Sequence, residues 1–127
     1  MSDTEKLLEK AYDALETSKI LLESGKYNAA ISQAYYSMYY AAKALLSVKN
    51  LNPKTHRGVV VTLGLEFVNK GYLEEIYGAA LAKAFRRREQ ADYDLYYRAS
   101  EEEAALAIDD AEKFLERIKS AVKQLKG

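Results

Sequence analysis

Residues 31–46 read ISQAYYSMYYAAKALL, and their spacing decides the fold. Ile31, Ala34, Tyr35, Met38, Ala42 and Leu45 recur at steps of three and four, the period of one helix face and not the alternation of a strand. On such a helix Tyr35, Tyr39 and Ala42 share one face while Tyr36 and Tyr40 share the next, so the aromatic band is wider than a single core stripe. Upstream, Ser24-Gly25 ends a first helix expected over about 3–24, opened by the capping pair Ser2/Glu5 and carrying Leu8, Ala11, Tyr12, Leu15 and Leu22. Downstream, Asn50-Leu51-Asn52-Pro53 closes the second helix, expected over about 27–49, because Pro53 biases Asn52 away from helical angles. Thr55 caps a third helix expected to run through Asn69; Val59-Val60-Val61 looks strand-like alone but would have no partner strand. A fourth helix is expected from about Leu73 to Gln90 with Ile76, Ala80 and Ala84, then a loop over Ala91–Ala99. Ser100 with Glu103 opens a fifth, along which Ile108, Ala111, Leu115, Ile118, Val122 and Leu125 form a narrow apolar seam. The pattern predicts an all-α fold, an antiparallel up-and-down four-helix bundle with an additional short helix, as a single domain over residues 1–127.

Composition narrows the chemistry. At 127 residues the chain has room for one domain and none for a separate cofactor module, so no cofactor is expected. Cysteine is absent, which excludes disulfides, thiol catalysis and thiolate metal sites and suits a reducing compartment. No apolar run approaches the ~20 residues of a membrane span, and Met1–Glu5 has no signal-peptide character; the expectation is a cytoplasmic protein with no membrane partner. Nineteen basic residues balance nineteen acidic ones, so no global field recruits nucleic acid. The distribution is uneven, however: residues 1–25 carry a net −3, residues 26–60 carry Lys26, Lys43, Lys49, Lys54 and Arg57 with no acid, and residues 101–127 a net −2. A basic segment between two acidic helices reads either as inter-helix complementarity or as a local anion site.

Two clusters could carry chemistry. The tyrosine band could fill a core and a subunit interface, and Tyr36 and Tyr40 could also stack on or hydrogen-bond a nucleotide base. Arg86-Arg87-Arg88 leads directly into Asp92-Tyr93-Asp94; arginine forks suit phosphate oxygens, and the acids and phenol could orient a hydroxyl, or the arginines could simply pair with nearby acids and carbonyls. His56 is the one histidine, so a two-His metal site is impossible, and beside Thr55 and Arg57 it reads as a surface residue. Neither Asp109-Asp110 nor Glu101-Glu102-Glu103 forms a metal pattern, and no metal is expected.

Taken in order, Gly25-Lys26-Tyr27-Asn28-Ala29-Ala30, the run from Ala34 to Leu46, and Arg88-Glu89-Gln90-Ala91-Asp92-Tyr93-Asp94 resemble the HEPN domain family across essentially the whole chain. The resemblance implies a helical bundle that dimerises and stands beside a minimal nucleotidyltransferase in a two-component, toxin–antitoxin type of system. Many such domains are metal-independent ribonucleases using an Arg-x4-6-His motif in a cleft between two subunits. Here Arg88, or Arg87 if spacing is counted to Asp92, takes the arginine place, and Asp92 or Tyr93 stands where the histidine would be. A phenol with a reference pKa of about 10 is a poor base at neutral pH, and an exposed Asp, at about 3.9, a poor acid. The expectation is therefore a nucleotide- or RNA-binding module using Arg87, Arg88, Tyr36 and Tyr40, without efficient catalysis. The alternatives are an endoribonuclease toxin using Arg88 with Asp92 and Tyr93, and a purely structural dimerisation partner. Tyr93, Tyr96 or Tyr97 could also be the tyrosine that a nucleotidyltransferase partner modifies in some paired systems.

Overall fold

The computed structural model describes residues 2–126. Its helices are α1 (Asp3–Glu23), α2 (Tyr27–Val48), α3 (His56–Leu63), α4 (Glu75–Tyr93) and α5 (Glu101–Lys126), and α3 runs on into a π-helical turn, Gly64–Val68. Cross-links fix the topology. Lys19 meets Glu112 while Lys119 lies over Tyr12, so α1 and α5 are antiparallel. Arg88 meets Tyr36 while Asp92 meets Ser32, so α4 runs against α2; Arg87 meets Asp110 while Glu74 meets Arg117, so α5 runs against α4. With the tight turn from α1 to α2, the four long helices go up, down, up and down, as the hydrophobic spacing predicts.

α2 is the central helix and packs on α1, α4 and α5. Its alanines at 30, 34, 41 and 42 are buried and carry no bulk, so neighbouring backbones approach closely, and Ser37 reaches across to donate to the Ala11 carbonyl at 2.8 Å. α5 buries one stripe, Ala104, Ala107, Ile108, Ala111, Phe114, Leu115, Ile118 and Val122, matching the seam read from the sequence. Ser100 and Glu103 form a reciprocal capping box at its start. α2 ends where Asn50 takes φ 59° and the Leu51 amide turns back to the Leu46 carbonyl.

Three expectations need correction. The third helix is α only to Leu63 and finishes as a π turn closed by the Asn69 amide on the Gly64 carbonyl; this turn buries Phe67, and Lys49 donates to the Glu66 carbonyl there. Ile76, named with Ala80 and Ala84 for the fourth helix, is 69% exposed, and Leu81, outside that spacing, is the buried residue of α4. The fourth helix does not stop at Gln90: it continues through Ala91 and Asp92 to Tyr93. Residues of α2 stabilise that extra turn, since the Asn28 amide donates to the Ala91 carbonyl and Ser32 to Asp92.

Asn28 also donates to the Tyr97 carbonyl at 3.0 Å and accepts from the Ala99 amide at 2.8 Å, so one side chain clamps both ends of the connection before α5. Replacing it with Ala should cost about 2–3 kcal/mol, as three part-buried partners lose their bonds at about 1 kcal/mol each. Urea unfolding measures that loss, and hydrogen exchange should show residues 94–99 opening before the bundle does.

Candidate functional site

Arg88 projects from α4 toward α2 and its side chain is only 12% exposed. One Nη2 N–H donates to the Tyr36 hydroxyl at 2.9 Å. The guanidinium carbon lies 5.4 Å from the Tyr36 ring, 5.5 Å from Tyr93 and 5.8 Å from Tyr35, so three π faces share the cation. Nε is 3.0 Å from Asp92 Oδ2, one helical turn on, but is not aligned with it: the contact is Coulombic, and this buried N–H has no acceptor among the described residues. Ser32 donates to the same Asp92 oxygen at 3.3 Å. The result is a fixed cation, held by rings and one carboxylate, with most of its five donors uncommitted.

His56 comes to the other side of the same rings. It opens α3 behind the Thr55 cap, whose hydroxyl accepts from the Gly58 amide. Glycine at 58 is what allows that turn, because a Cβ there would lie 2.9 Å from Thr55 Oγ1 and 3.2 Å from Pro53 Cβ. The imidazole stacks on Tyr39 at 4.2 Å, lies edge-on to Tyr36 at 5.8 Å, and has Nδ1 2.7 Å from the Tyr35 hydroxyl. Burial pushes the Tyr35 hydroxyl far above the usual phenol range, so it keeps its proton, and it shares with Nδ1 a hydrogen bond whose direction follows the imidazole tautomer.

The sequence-derived set divides in space. Arg88, Asp92, Tyr93 and Tyr36 converge, and Tyr40 adjoins them with its ring 6.2 Å from Tyr36. Arg87 does not join them: it turns to α5 and donates to Asp110 Oδ2 at 3.2 Å, while Arg86 is exposed. The arginine trio is thus split by helical geometry, since consecutive residues point about 100° apart. His56, read as a surface residue, is half-buried in the cluster; the only sequence signal for this was its place one residue after a helix cap, close behind the tyrosine helix. Among the described residues no group of three His, Asp or Glu side chains could hold a metal ion, and no helix is long and apolar enough to cross a membrane.

The model of the HEPN domain matches residues 4–121. The chain belongs to the HEPN domain family. It is 48% identical over 119 residues to the Methanocaldococcus jannaschii protein named "Putative toxin MJ0605", a match covering 94% of this chain and 88% of that one. It is 31% identical over 130 residues to a UPF0332 protein of Thermotoga maritima, covering 99% and 98%. The crystal structure of TT1696 from Thermus thermophilus superimposes with a TM-score of 0.79 at 20% identity over 95% of this chain and 99% of that one, a likeness of fold.

Within this HEPN domain the segment after Arg88 is helical, so Asp92 lies one turn beyond the arginine as its ion partner. The imidazole that shares the Tyr36 ring with Arg88 comes from α3. Burial, then the Arg88 and Lys43 cations, lower the His56 pKa below the ordinary 6.5. The groups facing it are Tyr35, Tyr36, Tyr39, Phe85, Arg88 and Lys43, none of them an acid. Because the folded state binds the proton less readily than the unfolded one, this residue's contribution is intact above about pH 6.5 and is lost as pH falls through the depressed folded value. Urea unfolding between pH 8 and 5 should show wild type losing more stability on acidification than His56→Gln; parallel curves would refute the assignment.

Proposed function

We propose that this chain is the nucleotide- or RNA-binding HEPN module of a toxin–antitoxin type of pair, acting as a homodimer beside a minimal nucleotidyltransferase and without efficient catalysis of its own. The observation that carries the reading is Arg88: a permanent cation walled by three tyrosine rings, with a buried N–H that lacks an acceptor among the described residues. A phosphate oxygen at its open edge would complete the fork's hydrogen bonds, which carbonyl or water partners satisfy less well. Tyr36 would share that phosphate through its hydroxyl, and the half-buried Tyr40 ring would offer a face to a base. Tyr93, Leu95 and Tyr96 are exposed at the rim of the cluster, and a second protomer closing over them would bury apolar surface and fence the site from water. The toxin name carried by a relative supports the toxin–antitoxin setting.

Strand cleavage needs an acid and a base on either side of the phosphorus. Asp92 is already engaged by Arg88 and Ser32, which removes the obvious base and favours binding over turnover. One observation favours a second reading as a metal-independent endoribonuclease: His56 lies against the same tyrosines, and with Arg88, Asp92 and Tyr93 it would supply the proton-transferring group that the motif lacks. Fluorescence anisotropy with a short labelled RNA, and a gel of the same RNA after prolonged incubation, separate the two: retention without cleavage is expected. Light scattering should give twice the monomer mass, and co-expression with the adjacent nucleotidyltransferase should yield a joint complex. A monomer that holds no nucleotide and copurifies with nothing would overturn the proposal.

A further inference from the structure

The Arg88 cluster does not account for the basic middle of the chain. Between the first turns of α1 and the end of α2 lies an open cavity of about 650 Å³, bordered by Lys6 and Lys10 from α1, Lys43 and Ser47 from α2, and Asn50 and Asn52 from the connection that follows. None of these three lysines has a carboxylate within 4 Å among the described residues, whereas Lys19, Lys70 and Lys113 do. Lys10 instead sits 5.0 Å over the Tyr40 ring and Lys43 5.5 Å over Tyr39, so tyrosine faces hold both ammonium groups where they are. The one acid at the cavity, Asp3, lies in the first turn of α1, where the unpaired helix amides offset its charge. The volume falls within the range of small-ligand sites; Leu7 and Leu51 give the cavity an apolar wall, and its three lysines outnumber its one acid.

We infer that this cavity is a second anion site, built for a ligand with several linked phosphates. Lys6 and Lys10 are one helical turn apart on α1 and Lys43 borders the same cavity from α2, so a phosphate chain bridging the helices can meet all three ammonium groups at once. Packed against a ring on one side, each of Lys10 and Lys43 is less screened than a free surface lysine, which strengthens its pull on an anion. The linked phosphates could belong to a free oligophosphate such as a nucleoside triphosphate, or to an RNA strand. Tyr36, Tyr40, Lys43 and Ser47 follow one another along α2, so a strand could run between Arg88 and the cavity.

The test uses the full chain, inorganic tripolyphosphate by calorimetry, and a short oligouridylate by anisotropy. K10Q/K43Q, checked for fold by circular dichroism, should weaken at least one ligand by about tenfold or more; K113Q, which removes a lysine already paired with Asp109 on α5, should leave tripolyphosphate binding unchanged. Loss of tripolyphosphate alone identifies the free oligophosphate, and loss of the oligouridylate as well identifies the strand. Binding of both ligands unchanged within twofold in folded K10Q/K43Q overturns the inference, as does a wild type that binds neither. Should tripolyphosphate and oligouridylate binding both survive K10Q/K43Q while oligouridylate binding collapses in Arg88→Lys, the inference is overturned and the Arg88 reading stays intact.

Discussion

Leu115→Asp abolishes the cooperative unfolding transition. Leu115 is 1% exposed on the inner stripe of α5, the helix that packs on α1 and α2. Truncating a buried leucine costs about 2–5 kcal/mol through lost burial and the cavity left behind. A carboxylate there adds several kcal/mol more, because it sits in the buried apolar cluster and must either stay charged without water or take up a proton. The sum reaches the whole stability of a small domain, about 5–15 kcal/mol. Circular dichroism during heating should show a sloping loss of helix in place of a sigmoid. Leu106→Asp on the same helix is the control: Leu106 is 54% exposed, so the same chemical change should shift the midpoint little. A normal transition in Leu115→Asp would mean that the core has been placed wrongly.

Arg88 is expected to separate charge from geometry. Arg88→Ala should reduce RNA or nucleotide affinity by about a hundredfold, because it removes both the cation and the fork that the tyrosines hold in position. Arg88→Lys keeps the charge but loses the planar donor set, and a loss of about tenfold is expected. Arg87→Ala should leave both affinity and fold nearly unchanged, since its ion pair with Asp110 is partly exposed and worth less than about 1 kcal/mol. Anisotropy titrations at one fixed salt concentration make the comparison, as phosphate contacts depend strongly on salt. Equal losses in Arg87→Ala and Arg88→Ala would show that the site is not where α2 and α4 cross.

Periodicity carried most of the fold. The step of three and four through Ile31, Ala34, Tyr35 and Met38, the capping box at Ser100, and the break at Asn50–Pro53 are local signals, and local signals are read without knowing the neighbours. The end of α4 was not legible, because its extra turn depends on Asn28 and Ser32, which are remote from it along the chain. Part of the site was legible too: Arg88 and Asp92 are one turn apart on a helix face, and Tyr93 follows directly in sequence. The sequence by itself therefore determined a helical bundle and a local pairing of arginine with acid and phenol, because both follow from spacing along one chain segment. Tertiary structure alone decided that Arg87 faces α5 while Arg88 faces α2, that His56 enters the tyrosine cluster, and that Lys6, Lys10 and Lys43 border one cavity. Those placements depend on which helices meet and at what rotation, and that is settled by packing the whole core at once.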